Sequence, residues 1–373
     1  MSELSEIVPQ AFLQKLIEEP SLKIIDVRSP VEFADGSIPQ SVNLPLLSNE
    51  QRAQIGTCYK LSGRESAIQL GYQLLEGPEK QNRQEKWCQF LSTHHGAYLT
   101  CFRGGLRSKI SQQWLSELGY QVPRLKGGTK AIRQLLTQFL HRPCELNLHL
   151  ISGKTGSGKS RLLATLKEAQ FEVLDLEVLS NHRGSAFGAM GPQPTQVDFE
   201  NRLALEMLRV ALRAPVFLED ESRMIGKRVV PEALFVAMRA KGVYLIEESL
   251  QARAELIFAD YVAGDESASS SEMLQWIQRL RVMREALQLI RPKLGGLEFS
   301  QVDQLMMDSI QKAEALDFQG SREISLTWIF RLLKNYYDPL YEKSLNKRNP
   351  KILASGTRQE LQETFFNQRS TGK

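Results

Sequence analysis

Cysteine is scarce in this chain: four in 373 residues (Cys58, Cys88, Cys101, Cys144), with no C-x-x-C pair and no metal-like spacing to the five histidines. That excludes a disulfide-stapled scaffold, and no structural metal is expected. Long apolar runs are missing too. None approaches the ~20 residues of a membrane span, and Met1–Glu19 has no basic segment leading into an apolar one. The expectation is a cytoplasmic protein with no membrane partner, in a reducing compartment where a free thiol survives. Charge of one sign is also in short supply, since 47 Lys and Arg against 43 Asp and Glu leave only +4. Such a balance permits a polyanionic partner without requiring one. What remains, 42% apolar and 24% charged residues, is the composition of a soluble globular protein, and the length calls for two or three domains.

The most informative stretch lies at Tyr98. Tyr98-Leu99-Thr100 delivers Cys101 into Phe102-Arg103-Gly104-Gly105-Leu106-Arg107, and an amphipathic helix follows from Ser108. Backbone N–H groups of such a loop and the N-terminus of the next helix converge on one spot and favour negative charge there. A cysteine at that spot is expected as a nucleophilic thiolate. The ordinary reading of a lone cysteine is a small buried apolar residue. A packed core has no use for Arg103, Gly104, Gly105 and Arg107 directly after it, whereas an anion cradle does. Five residues separate Cys101 from Arg107. This C-x5-R spacing is shared with phosphatases and arsenate reductases, whose loops hold a tetrahedral oxyanion, and it fits equally a phosphate-like donor such as selenophosphate.

Upstream, Asp26-Val27-Arg28-Ser29-Pro30 with Glu32-Phe33, then Ile38-Pro39 with Asn43 and Pro45, precede the cysteine loop. In this order they resemble the rhodanese fold, with Ser37 and Gln40 departing from its usual form. The resemblance implies a parallel sheet flanked by helices, with Cys101 carrying a persulfide or perselenide. Helical spacing from Asn49 to about Leu91 reads as a long insertion suited to a lid, within which Cys58 and Cys88 are better read as packing residues. Leu125-Lys126-Gly127-Gly128-Thr129-Lys130 closes the domain, its glycine pair suiting a tight turn and its lysines an anionic substrate.

A second motif follows. The strand-like Leu146–Ile151 leads into Gly153-Lys154-Thr155-Gly156-Ser157-Gly158-Lys159-Ser160, and the helical Arg161–Leu166 comes after it. This is the complete G-x-x-x-x-G-K-[ST] pattern in its required context. Glycines let backbone N–H groups wrap a phosphate chain, Lys159 neutralises it, and the Ser160 hydroxyl suits a magnesium ion. The apolar run before Glu219-Asp220-Glu221 places Glu219 or Asp220 as the acidic partner, so magnesium is expected through Ser160 and Asp220. Between the two, Asn181-His182-Arg183-Gly184-Ser185 and Gln193-Pro194 read as a mobile substrate loop leading to a helix around Phe199. Arg223 is expected near the same pocket.

Gly264–Ser271 is linker-like. Beyond it Arg279, Arg281 and Arg284 mark a basic helix, and Arg331, Lys334, Tyr336 and Tyr337 interleave cations with aromatics. That mixture suits tRNA contact, although a helical bundle with a basic surface fits the spacing equally well. The tail after Leu361 is expected to be loose. The resulting layout is α/β, with a rhodanese-like parallel-sheet domain at 1–142, a P-loop α/β domain at 143–264 and a helical region at 265–373.

The pairing of these two motifs is uncommon. Through the cysteine loop, the Gly153–Ser160 loop, Asn181–Ser185, Gln193-Pro194, Phe199–Arg202, Glu219–Glu221 and Tyr336-Tyr337-Asp338-Pro339, the chain resembles the bacterial tRNA 2-selenouridine synthase family. Thr129 departs from it, standing where an aromatic residue is common. The resemblance implies replacement of sulfur by selenium in the wobble 2-thiouridine of tRNA, with selenophosphate as donor and an S-geranylated intermediate made from geranyl diphosphate. It also implies transient contact with a selenophosphate-supplying enzyme. An ATP-dependent tRNA sulfurtransferase and a C-x5-R phosphatase are the alternatives.

Overall fold

Two parallel five-stranded sheets organise the chain in a computed structural model that describes residues 4–142, 144–210, 214–263 and 270–370. Two compact units result, residues 1–143 with 194–209, and residues 144–193 with 210–373. The first sheet comprises β1 (Glu6–Ile7), β2 (Ile24–Asp26), β3 (Ser41–Asn43), β4 (Tyr98–Thr100) and β5 (Arg124–Leu125), in the order β1-β5-β4-β2-β3, every pairing parallel. Its central strands are buried, which is why they read as brief apolar runs rather than alternating ones. Around it lie α1 (Pro9–Glu18), α2 (Pro30–Ala34), α3 (Asn49–Leu74), α4 (Pro78–Thr93), α5 (Leu106–Glu117) and α6 (Gly128–Leu140).

The insertion is the pair α3 and α4. The first opens on a capping box at Ser48 and Gln51 and is interrupted at Gly63, whose φ of 80° leaves the helical region. Trp87 of α4 provides the anchor: its ring is fully buried with Leu91, and its indole N–H donates to the Leu44 carbonyl at 2.9 Å. Cys88 is half-buried on the same helix, and burial raises its thiol pKa.

The second sheet is centred on β6 (Asn147–Gly153), which runs straight into the glycine loop and α7 (Lys159–Glu168). Next come β7 (Glu172–Val173) and α8 (Leu176–Ser180). The following helix, α9 (Gln196–Arg209), packs on α1 and α6 in the first unit, not in the P-loop unit where its sequence position put it. Its buried face of Phe199, Leu203 and Met207 is held by polar contacts. Arg133 pairs with Glu200 and donates to Asn201 at 2.9 Å, while Asp198 accepts from Ser37 N–H at 2.7 Å.

The chain then returns through β8 (Pro215–Glu219), the hairpin β9 (Met224–Ile225) and β10 (Arg228–Val229), α10 (Glu232–Arg239), β11 (Val243–Ile246) and α11 (Leu250–Phe258). A helical bundle follows, made of α12 (Ser270–Leu287), α13 (Arg291–Leu294), α14 (Gly296–Glu314), α15 (Phe318–Leu332) and α16 (Asp338–Arg348). The linker expected at Gly264–Ser271 lies for the most part outside the described residues. The bundle is not terminal. After it β12 (Ile352–Gly356) completes the sheet order β12-β11-β6-β8-β7, again parallel, and α17 (Arg358–Ser370) packs behind it.

The expectation of a loose tail after Leu361 is therefore corrected. Leu361 and Phe365 are each 1% exposed, and the Phe365 ring sits 4.8 Å from both Phe217 and Tyr244. Removing it leaves a cavity between helix and sheet. Phe365→Ala should cost about 3–5 kcal/mol in urea unfolding of the full chain; a loss under about 0.5 kcal/mol, the scale of a surface substitution, would mean the tail is undocked.

Candidate active sites

Cys101 follows β4 directly and is 3% exposed, in a cluster with Ile25, Val27 and Leu99. Its Sγ donates to Ser108 Oγ at 3.2 Å, and that hydroxyl donates to the Gly105 carbonyl at 3.0 Å. The chain turns over the thiol through Gly104 at φ 61°, then enters α5 with Gly105 as N-cap. Pressed against this loop is the Gly127-Gly128 turn after β5. A Cβ on Gly128 would overlap the Cys101 carbonyl oxygen, and one on Gly104 would lie 2.7 Å from the Leu125 carbonyl. Thr129 and Lys130 N–H groups donate to the Cys101 and Phe102 carbonyls at 2.9 and 3.0 Å. The glycine pair thus permits backbone-to-backbone contact that fixes the cradle.

Arg107 does not stand free over the cysteine. Its guanidinium grips Glu32 with two bonds, Nη1 to Oε2 at 2.5 Å and Nη2 to Oε1 at 3.0 Å. Glu32 also accepts from the N–H and hydroxyl of Ser29 at 3.1 and 2.8 Å. Burial works to raise the Glu32 pKa, yet the Arg107 hydrogen bonds and charge win and hold it at about 2. Behind this pair lies another, Asp26 with Arg28 at 2.7 Å, both buried. Arg103 remains exposed over the Phe102 ring at 5.7 Å, and Lys126 and Lys130 are exposed as well.

In the second unit, β6 ends at Gly153 and the loop turns through Gly156 and Gly158, at φ 78° and 84°. Lys159 Nζ donates to the Gly153 carbonyl at 3.0 Å. Lys154 pairs with Glu342 at 2.7 Å. Arg253, buried, ties the loop to α16 by donating to the Thr155 carbonyl at 3.1 Å and to Asp338 at 2.7 and 2.8 Å.

The acidic partner differs from the expectation. Asp220 accepts from Ser152 Oγ at 2.7 Å and Arg239 Nη1 at 3.2 Å and pairs with Arg348, so it clamps α10 and α16 to the strand end. The carboxylate beside Ser160 is instead Glu177 of α8, at 2.7 Å. Burial, with Glu221 and Asp175 adding, pushes the Glu177 pKa up to about 7. Glu219 is wholly buried, neither carboxylate oxygen has a hydrogen-bond partner, and burial raises its pKa strongly. The signal that would have located Glu177 was available: Leu174-Asp175-Leu176-Glu177 places acids just past a strand, as Glu219-Asp220-Glu221 does. Among the described residues no group of three or more His, Cys, Asp or Glu forms a metal cluster. Magnesium nonetheless needs only one or two carboxylates with phosphate oxygens, and the Ser160–Glu177 pair with the orphaned Glu219 fits that demand.

A cavity of about 690 Å³ opens over the loop. Lys159, Ser160, Glu177, Asp220 and Arg239 line its polar end. Much of the rest is apolar, from Phe187, Leu256 and Ile257 to Met283, Trp328 and Ile329. Arg183 lines it too, stacked on Tyr261 at 4.8 Å and donating to the Asp260 carbonyl at 3.2 Å. His182 accepts from Gly184 N–H at 3.1 Å and shapes the loop. Arg223 is not part of the wall; it is exposed and pairs with Glu232.

The residues expected at tRNA are mostly committed within the protein. Tyr336 belongs to the bundle core and lines the cavity together with Tyr337, their rings 4.9 Å apart edge to face. Arg281, Arg284 and Arg331 pair with Glu314, Asp303 and Glu298, and Arg279 donates to the Val262 carbonyl. Lys334 is exposed and has no ion pair among the described residues.

A parallel-sheet unit with a cysteine cradle, joined to a P-loop unit, defines a rhodanese-like and P-loop two-unit protein. The rhodanese-like domain family matches residues 9–135, and the tRNA 2-selenouridine synthase AAA domain matches residues 146–371. The tRNA 2-selenouridine synthase of Marinobacter nauticus is 41% identical over 355 residues, covering 93% of this chain and 95% of its own. That of Nitrosomonas europaea is 42% identical over 360 residues, covering 89% and 92%. That of Bdellovibrio bacteriovorus is 41% identical over 369 residues, covering 94% and 96%. The chain belongs to the tRNA 2-selenouridine synthase family and is a transferase.

The Glu32–Arg107 pair makes the first unit acid-sensitive in a definite window. A folded pKa of about 2 against an ordinary 4.5 gives stabilisation that is complete above about pH 4.5 and fades as pH falls toward 2. Glu32→Gln should therefore lower stability by about 3 kcal/mol at pH 6, with the gap to wild type closing toward pH 3 in pH-resolved thermal melts. A gap independent of pH would contradict the assignment.

Proposed function

We propose that this chain replaces sulfur by selenium at C2 of the wobble 2-thiouridine of tRNA, in two stages at two anion sites. In the P-loop cavity, the thiocarbonyl sulfur attacks C1 of geranyl diphosphate, a C–S bond forms, the C–O bond breaks, diphosphate leaves and the N3 proton passes to it or to water. The loop N–H groups and Lys159 take up the negative charge that develops on the leaving group. Ser160 with Glu177, and Glu219 behind them, would hold a magnesium ion, which supplies further charge neutralisation on the diphosphate. At the other site, in the Cys101 cradle, the selenium of selenophosphate, delivered through transient contact with the enzyme that makes it, adds at C2 and the geranyl thiolate departs with the proton carried in by the selenophosphate. Water then cleaves the Se–P bond, returning a proton to N3 and releasing inorganic phosphate.

One observation carries the diphosphate reading: the cavity couples a phosphate-binding loop to an apolar stretch of wall supplied by α11 and the helical bundle. A ligand with an anionic head and an apolar tail satisfies both ends, whereas the base of a nucleotide calls for polar groups along its edges. At the cysteine site, the Arg107 fork is held by Glu32, which disfavours a phosphatase that needs that fork for its oxyanion.

The test is mass spectrometry of nucleosides from thiolated tRNA incubated with selenophosphate and geranyl diphosphate. Cys101→Ala should lose selenation and keep geranylation, while Lys159→Ala should lose geranylation. A strict ATP requirement with indifference to geranyl diphosphate would favour an ATP-dependent sulfurtransferase instead, and equal activity of all three proteins would end the proposal.

A further inference from the structure

The apolar part of the P-loop cavity has a floor. Beside the loop its wall comes from α11: Ile257 lies where a Cβ on Gly156 would fall, within 2.8 Å, and Leu256 stands against Gly158. The bundle supplies another part of the wall, through Met283 of α12 and Trp328 and Ile329 of α15. These three are 6%, 1% and 1% exposed and belong to the bundle core. Their companions in that core, Leu280, Val302 and Met306, do not reach the cavity. Leu332, Leu333 and Tyr336 of the same core also reach the cavity, so the packed bundle core bounds it on this side.

We infer that Met283, Trp328 and Ile329 form the end wall that measures the apolar chain of the diphosphate substrate, and so set which prenyl length the enzyme transfers. The inference rests on the diphosphate reading above and adds a determinant of specificity to it. With the head group fixed at Lys159 and the loop N–H groups, chain length decides where the tail ends. A tail one isoprene unit too long must push into a core packed as densely as a crystal, and one unit too short leaves a void. Of the three residues, Met283 has the most adaptable side chain, and Ile329 the stiffer one. Truncating the first should open the floor, and enlarging the second should raise it.

The experiment offers thiolated tRNA with dimethylallyl, geranyl or farnesyl diphosphate and quantifies the S-prenylated nucleosides, with melting curves for each variant. Wild type should prefer geranyl over farnesyl by about tenfold or more in kcat/KM, since an apolar pocket discriminates one or a few carbons by about 10–200-fold. Met283→Ala should bring the two within about threefold by raising farnesyl transfer, and Ile329→Phe should move preference toward dimethylallyl. If wild type transfers geranyl but shows no length preference, or both variants keep the wild-type ratio, the end wall is not the ruler and the diphosphate reading stands. If wild type transfers no prenyl group from any donor, the diphosphate reading itself fails. Should one variant not fold, the other still decides, because they shift the preference in opposite directions.

Discussion

An anion site made of main-chain N–H groups exists only where the backbone can come closer than a side chain allows. Two loops in this molecule have that construction. In each, a buried parallel strand ends, the chain turns through a glycine at positive φ, and a helix begins: β4, Gly104 and α5 in one unit, β6, Gly156–Gly158 and α7 in the other. In the first, a second glycine turn at Gly127-Gly128 packs onto the loop, and the carbonyls of Cys101 and Phe102 receive N–H groups from Thr129 and Lys130. With its carbonyls held from behind, the loop is fixed in shape before any ligand arrives, so binding has less ordering left to do.

Charge is then arranged around the two cradles in opposite ways. At Cys101 the nearest cation, Arg107, is balanced by Glu32, and the pair behind it, Arg28 with Asp26, is balanced as well. Free positive charge is left to Arg103, Lys126 and Lys130 on the exposed rim. Around Ser160 the excess is negative and buried. Glu177, Glu219 and Glu221 all have raised pKa values, with burial the leading cause in each case. Burial disfavours the charged form of each of these carboxyls, while Lys159 and Arg239 work in the other direction on Glu221.

Local chemistry was legible in the sequence and long-range choice of partner was not. The cysteine loop and the P-loop are each written in fewer than a dozen consecutive residues, because strand, turn and helix N-terminus are neighbours in the chain. The carboxylate beside Ser160 differs from the expected Asp220 for another reason. From sequence, three adjacent acids after a strand are equivalent, and only the arrival of Arg239 and Arg348 from helices 19 and 128 residues away commits the middle one to structure. Tyr336 and Tyr337 carry the same lesson. Aromatics interleaved with cations read as an RNA surface, yet these rings lie in a π-helical turn at Leu333–Tyr337 that buries Tyr336, and the neighbouring arginines find carboxylates on α14. The strand β12, with Ile352 and Leu353 exposed, has no apolar pattern to announce it, since its place at the sheet edge rests on backbone pairing with β11.

The same distinction governs where the units divide. A boundary near residue 143 looks natural because one motif has ended and the next begins there. The main division does fall there, but one later helix crosses it. Phe12 and Leu16 of α1 and Ile132 and Leu136 of α6 belong to helices on which α9 packs, and α9 is encoded more than fifty residues later. Cutting the chain at 143 would uncover those faces and leave Ser37 and Arg133 without Asp198 and Glu200. The second unit is discontinuous in turn, since the segment bearing Arg183 and His182 leads directly into α9 and the chain returns only at β8. Neither unit is a contiguous stretch, and the loop that lines the P-loop cavity is covalently continuous with a helix of the cysteine unit.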